Sequence, residues 1–324
     1  MISPEHVAQS ASESWGKGRN GVSFGASPPA IRMFHPFMDS FFDSRLPAEL
    51  HPSSFVVEKT LGFIRANRAR PFFAHCSFVD PHPPLNAPMP FNRMYDPREM
   101  PVPACFDMEA CYPQGLPAGV ERRIQKMKDF PPELWQWAHA SYLGMVSHID
   151  WCVGRLLDGL RDLGLSDDTL IVYTSDHGDY AGDHRLLYKG SLMFDSLLKV
   201  PLTITWPSGV RGGRRVSAMV QGMDLGALIS GSSETGYERV YCELDDLPGS
   251  TWAASQAVRT REWKLEYFPK ARRGLLYNLR DDPGELRNLF DDPRCKEIRH
   301  SLMMDLLDHL HASKDPLPIR LSGA

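Results

Sequence analysis

The stretch Thr169-Leu170-Ile171-Val172-Tyr173-Thr174-Ser175-Asp176-His177-Gly178-Asp179 decides how this chain folds. Its apolar half follows the turn pair Asp167-Asp168 and reads as a strand buried on both faces. That strand delivers a carboxylate and an imidazole side by side at its carboxyl end, where Gly178 allows a tight turn away. In an open α/β sheet the reactive groups collect just past the carboxyl ends of the strands. Upstream, Trp135, Ala138, Tyr142, Met145, Ile149, Val153, Leu156 and Leu160 recur at steps of three and four, which predicts a helix of about seven turns. Gly164 sits where a C′ residue belongs. Downstream, Pro201-Leu202-Thr203-Ile204-Thr205-Trp206 reads as a second strand. Helices alternating with apolar strands predict an α/β fold with a mostly parallel central sheet flanked by helices.

Further from that centre, Val57, Leu61 and Ile64 fall at helical spacing behind Ser53 as N-cap, and Pro71 to Phe78 reads as a buried strand. The first fifty residues show neither period and read as loop. Between Asp80 and Pro132 stand 11 prolines, from Pro81 to Pro131, so this stretch reads as a surface excursion of the kind that carries function. After Gly231-Ser232-Ser233 the pattern changes. Val240 to Glu243, Ser255 to Arg259 and Lys264 to Phe268 are short strands, the last two too close in sequence for a crossover and therefore an antiparallel hairpin. Leu275-Leu276-Tyr277 and the turn Asp281-Asp282-Pro283-Gly284 continue it, and Ile298, Leu302, Leu306 and Leu310 mark a closing helix. The expected division is an α/β domain over 1–231 and a small α+β subdomain with an antiparallel sheet over 232–324.

The chain has 324 residues, 42% hydrophobic and 23% charged, enough to bury a sizeable core. Its 36 basic and 40 acidic residues are interspersed, without a block suited to nucleic acid or a membrane surface. The six cysteines show neither a CxxC pair nor zinc spacing and read as free buried thiols. The start has no secretory pattern and no run of 18 apolar residues occurs, so the sequence as written reads as cytoplasmic.

A carboxylate beside a neutral imidazole suits a divalent cation able to hold an anionic ester oxygen and act as a Lewis acid, which makes Asp176 and His177 candidate metal ligands. Two ligands are too few for calcium, magnesium or manganese, so partners must come from elsewhere. Lys189, in the loop after His177, is placed to neutralise charge on a transferred group. His82, stiffened by Pro81, Pro83 and Pro84, can protonate a leaving oxygen near neutral pH. Taken singly, each of these has an equally simple structural reading as a turn, packing or solvated residue.

Taken together and in order, the motifs resemble the sulfatase family of the alkaline phosphatase superfamily. They are Pro71-Phe72-Phe73 through Asp80-Pro81-His82-Pro83-Pro84; Tyr142 to Leu163 with Gly154-Arg155-Leu156-Leu157; Asp168-Thr169 through Asp176-His177-Gly178-Asp179; Gly182-Asp183-His184; Lys189-Gly190; Lys199-Val200-Pro201-Leu202; Trp206-Pro207; Trp263-Lys264-Leu265; and Asp281-Asp282-Pro283-Gly284-Glu285-Leu286-Arg287-Asn288-Leu289. The resemblance implies an alkaline-phosphatase-like sandwich and a sulfuric ester hydrolase. It further implies a formylglycine nucleophile beside a divalent metal, calcium first and manganese or magnesium as alternatives. By matching positions it makes Asp176 and His177 metal ligands, Lys189 a sulfate-oxygen contact, and His82 a sulfate contact or the leaving-group acid. The substrate would be a small anionic ester, a sulfate of a sugar or aryl alcohol. Histidine next to Asp176 resembles the branch with phosphonate monoester hydrolases, which keeps phosphodiesters and phosphonates open. The family's paired N-terminal aspartates and its Cys/Ser-x-Pro-x-Arg motif have no counterpart in these residues; Cys111-Tyr112-Pro113-Gln114-Gly115 and Ser27-Pro28-Pro29-Ala30-Ile31 both lack the arginine. The expectation is therefore a chain lacking its N-terminal segment and inactive alone, with a non-catalytic binding protein as the alternative. A short stretch at Gly226 to Gly236 reads as an internal deletion relative to the family.

Overall fold

A computed structural model describes residues 44–106, 116–207, 213–230, 236–245 and 253–313. The two nucleophile look-alikes at 27–31 and 111–115, and most of the expected N-terminal loop, lie outside the described residues. Among those described, the longer helices are α1 (Pro52–Asn67), α2 (Ala118–Met127), α3 (Pro132–Asp162) and α4 (Lys296–Ala312). The strands are β1 (Ile171–Thr174), β2 (Leu202–Thr205), β3 (Val240–Leu244), β4 (Ser255–Arg259), β5 (Trp263–Phe268) and β6 (Arg273–Asn278). They fall into two compact units, each discontinuous in sequence.

The first unit holds the described residues up to Pro103, Phe130–Thr174, and those from Pro201 onward as far as 207. In α1 the residues Val57, Leu61 and Ile64 are buried, as their spacing requires. Val57 and Leu61 cluster with Cys152 of α3, and Phe78, Trp151 and Leu156 pack around them. The cap differs from expectation. His51 is the N-cap, its Nδ1 accepting the Ser53 N–H at 3.3 Å, and Pro52 takes the first helical position, where its missing N–H leaves no bond unmade. Ser53 Oγ instead donates to Asp80 Oδ2 at 2.8 Å. Helix α3 follows its predicted period and stops at Gly164, whose φ of +69° is the left-handed turn a glycine accepts without strain.

Two strand expectations are corrected. Residues 71 to 79 alternate in exposure like a strand but have no ladder partner among the described residues. Strand β1 is half open, with Tyr173 40% exposed, and is not buried on both faces. Although the α/β class holds, β1 and β2 pair antiparallel, in register from Ile171↔Thr205 to Thr174↔Leu202, where alternating helices and strands pointed to parallel pairing.

The second unit holds Ala104–Asp129, Ser175–Val200 and the described residues from Gly213 onward. Strands β3 to β6 form an antiparallel meander in sequence order, including the predicted β4–β5 hairpin. Val258, Leu265 and Leu276 from three of its strands meet Leu302 and Leu306 of α4, which closes over that face. The proline-rich stretch is more than a surface excursion. Residues 118–130 are free of proline, and α2 forms there with Val120, Ile124 and Met127 buried. Cys105 is disulfide-bonded, which corrects the expectation of free thiols throughout; Cys76, Cys152, Cys242 and Cys295 are free. No helix of the described residues is long and apolar enough to cross a membrane.

Candidate functional site

The chain leaves β1 at Thr174 and enters a loop that returns on itself at Lys189. Asp179 organises it. Half-buried, its Oδ1 accepts N–H groups from both arms, Ala181 at 2.8 Å and Tyr188 at 3.0 Å. Tyr180 N–H donates to Tyr188 O at 2.9 Å, closing a lasso over 179–188. Its hydroxyl donates to Leu192 O at 2.7 Å and accepts Leu192 N–H at 3.2 Å. Burial pushes the Asp179 carboxyl up, opposed by those two N–H groups, and pushes the Tyr180 phenol far up. Ala181, His184, Arg185 and Tyr188 all adopt positive φ, between 47° and 66°, a cluster of costly conformations that persists only where surrounding bonds enforce it.

Gly178 is demanded by close approach. A Cβ there would lie 2.0 Å from the backbone oxygen of Ser196, and its N–H donates to Leu197 O at 2.7 Å. The loop 175–179 is thereby seated on the one-turn helix Asp195–Leu198.

This frame brings three of the four predicted residues together. His177 Nδ1 lies 2.7 Å from Gly178 O. A carbonyl can only accept, so Nδ1 carries the ring proton and Nε2 presents a lone pair. Lys189 Nζ stands 3.1 Å from that Nε2, and Asp176 Oδ2 is 3.6 Å from it. Asp176 Oδ1 accepts the His177 N–H at 2.9 Å, while the carboxylate as a whole is 85% exposed. Slight burial pushes Asp176 up, but His177 and the bonds into the carboxylate prevail and hold it below its ordinary value. The donor set fits a divalent cation: an ionised oxygen and an imidazole nitrogen, its tautomer fixed by the partner of its other nitrogen, open on one side. Lys189 shows that a positive charge is already accommodated against that nitrogen.

His82 belongs to the first unit. Exposed among its prolines, its Nδ1–H donates to Pro83 O at 2.9 Å, which leaves Nε2 as the exchangeable face. The sequence reading missed what holds Lys189 in place. Asp179 stood inside the quoted motif without a role, and Arg123 of α2, whose Nη2 donates to Leu187 O at 2.6 Å, carried no sequence signal at all.

A loop of this build beyond a strand end, with carboxylate, imidazole and lysine converging, defines the class: the Sulfatase family model matches residues 33–231, and the chain belongs to that family. It is 34% identical over 299 residues to a multifunctional alkaline phosphatase superfamily protein, PehA, of Trinickia caryophylli, covering 77% of this chain and 57% of that one. It is 26% identical over 294 residues to an arylsulfatase of Clostridium perfringens, covering 82% of this chain and 59% of the other. Among solved structures, the phosphonate monoester hydrolase SpPMH from Silicibacter pomeroyi superposes with a TM-score of 0.71 at 27% identity, covering 83% of this chain and 62% of that one. The chain thus spans a little over half the length of the curated relatives it matches.

Proposed function

We propose that this chain carries the metal-holding and anion-holding part of a sulfuric ester hydrolase. The observation that carries the reading is the convergence of Asp176 Oδ2, His177 Nε2 and Lys189 Nζ at one strand end. Asp176 and His177 would hold the divalent cation, calcium first and manganese or magnesium as alternatives, and the ion would supply Lewis-acid polarisation of an ester oxygen. Lys189 offsets charge on the transferred group and His82 protonates the leaving oxygen. The nucleophile, a formylglycine by family resemblance, comes from sequence outside these 324 residues, which contain no Cys/Ser-x-Pro-x-Arg motif. Small sulfate esters of sugars or aryl alcohols are the substrate class. A second reading, phosphonate monoesters or phosphodiesters, is favoured by the imidazole next to Asp176 and by the likeness to PehA and SpPMH.

The test is hydrolysis of p-nitrophenyl sulfate, p-nitrophenyl phosphonate and bis-p-nitrophenyl phosphate by this chain, and by a version extended with the upstream coding sequence and co-expressed with a formylglycine-generating system. The extended version should turn over one of these and lose activity in His177→Ala; the chain alone should be silent. Metal-dependent turnover by the chain alone would overturn the assignment of the nucleophile. Silence from both would favour a non-catalytic binding protein.

A further inference from the structure

Within the first unit, three side chains from distant places in the sequence converge: His51 at the cap of α1, Asp80 at the head of the proline-rich loop and His148 in the middle of α3. One ligand-type atom from each lies within 4.8 Å of the other two. Both His51 Nδ1, at 3.3 Å, and His148 Nδ1, at 3.8 Å, face the same oxygen, Asp80 Oδ2. The site is enclosed: His148 is fully buried, His51 nearly so, and the Asp80 side chain, 11% exposed, leaves one side open to water.

Proton bookkeeping leaves the centre of this cluster short of a positive charge. His51 Nδ1 accepts the Ser53 N–H, so it holds a lone pair and no proton. Asp80 Oδ2 already accepts the Ser53 hydroxyl. Two acceptors therefore face each other across 3.3 Å with no donor between them. His148 Nδ1 is completely buried, and the acceptor it faces, Asp80 Oδ2 at 3.8 Å, lies beyond good hydrogen-bond distance, a costly state for a polar atom. Its Nε2 lies 3.6 Å from Cys152 Sγ. With the ring proton on Nε2 and directed at that sulfur, Nδ1 turns a third lone pair toward Asp80.

We propose that His51 Nδ1, His148 Nδ1 and Asp80 Oδ2 are the protein ligands of a structural, zinc-class dication, with a water in the fourth position. Zinc–nitrogen and zinc–oxygen bonds of about 2.0 to 2.2 Å put neighbouring tetrahedral ligands roughly 3.3 to 3.6 Å apart, close to the two separations to Asp80. Two imidazoles and one carboxylate suit zinc, iron or nickel and are a poor set for calcium, which wants six to eight oxygens. Such an ion would tie the start of α1 and the middle of α3 to Asp80, two residues before His82, and so fix the root of the His82 loop.

The test uses the full chain carrying Asp176→Ala and His177→Ala, so that the loop after β1 offers no ligand and the outcome is independent of the proposed function. Titration with Co²⁺ as a spectroscopic stand-in should give one equivalent bound with the visible bands of imidazole-ligated cobalt, displaced by Zn²⁺ and not by Ca²⁺. His148→Gln and His51→Gln should each weaken binding at least tenfold, and Zn²⁺ should raise the melting temperature of the parent only. Should those variants fail to fold, X-ray absorption on the zinc-loaded parent should show two imidazoles in the ligand shell. Absent stoichiometric binding, a shell without imidazole, or affinity unmoved by both glutamine variants overturns the proposal; the cluster then holds a shared proton.

Discussion

At His177 the hydrogen bond to Gly178 O settles which nitrogen faces the site, and Lys189 Nζ at 3.1 Å occupies the position from which that nitrogen would meet a cation. A dication held there as proposed would therefore compete with the ammonium. Replacing Lys189 by methionine removes a like charge from a half-buried position beside an exposed carboxylate, where solvent screening leaves such a charge worth about 1 kcal/mol, roughly a fivefold effect. Calorimetry should find divalent-metal affinity modestly higher in Lys189→Met than in the parent and abolished in Asp176→Ala. Affinity that falls in Lys189→Met would mean that the lysine supports the ligands instead of opposing the ion. In both proteins calcium binding should stay weak, because among the described residues no third carboxylate, thiolate or imidazole joins Asp176 and His177.

Elements whose identity depends on near neighbours in sequence were legible: α1 from Val57, Leu61 and Ile64, α3 from its eight-residue apolar series, α4 and the β4–β5 hairpin. What depends on distant partners was not. An apolar run at 171–174 announces a strand but is silent about which way its neighbour runs, and 71–79 has strand-like alternation without a described neighbour to make it one. Helix α2 is masked by the prolines on either side of it, while its own thirteen-residue setting, 118–130, has none. The site shows the same split. Order and chemistry single out Asp176, His177 and Lys189 as candidates, whereas the lasso that returns Lys189 to His177 rests on contacts such as Asp179 to Tyr188 and Arg123 to Leu187. Two substitutions test these elements. Leu302→Ala, in the α4 face over the meander, should cost about 2–5 kcal/mol by denaturant unfolding, the usual range for a buried leucine. Gly178→Ala must displace the backbone at Ser196 and should cost about 1–3 kcal/mol while also weakening metal binding at Asp176. If Gly178→Ala melts like the parent and binds metal as well, the seating of that loop on Asp195–Leu198 is not what positions Asp176 and His177.

Stability of the whole chain against pH is set in good part by charges buried in the second unit. Asp195 receives Arg259 through both carboxylate oxygens, at 3.0 and 2.9 Å, as well as Lys199 at 2.7 Å and Lys264 at 3.2 Å. Lys264 also bonds Glu285, whose Oε2 accepts the Asp195 N–H at 2.6 Å, and Glu266 Oε2 accepts the Met193 N–H at 2.9 Å. Burial pushes Asp195 up, but its cationic partners prevail and hold it well below the ordinary range. Its contribution is present above the unfolded value and fades as pH falls through the low folded one. Glu266 behaves oppositely. Complete burial pushes it up to about 8, with the Met193 N–H and Lys264 only partly offsetting, so the folded chain binds a proton that the unfolded chain releases near the ordinary carboxyl value of 4.5. Stability from this group is therefore full below about pH 4.5, declines as pH rises toward 8 and levels off above. Glu285, also pushed up by burial against the pull of Lys264, adds to the same decline. Melting temperature should thus peak in mildly acidic buffer and fall toward pH 8. Glu266→Gln keeps the acceptor for Met193 and removes the titration, so its melting curve between pH 5 and 8 should be flatter than the parent's. Equal slopes for the two proteins would mean that Glu266 stays ionised in the fold, held by Lys264, and that the alkaline decline belongs to Glu285.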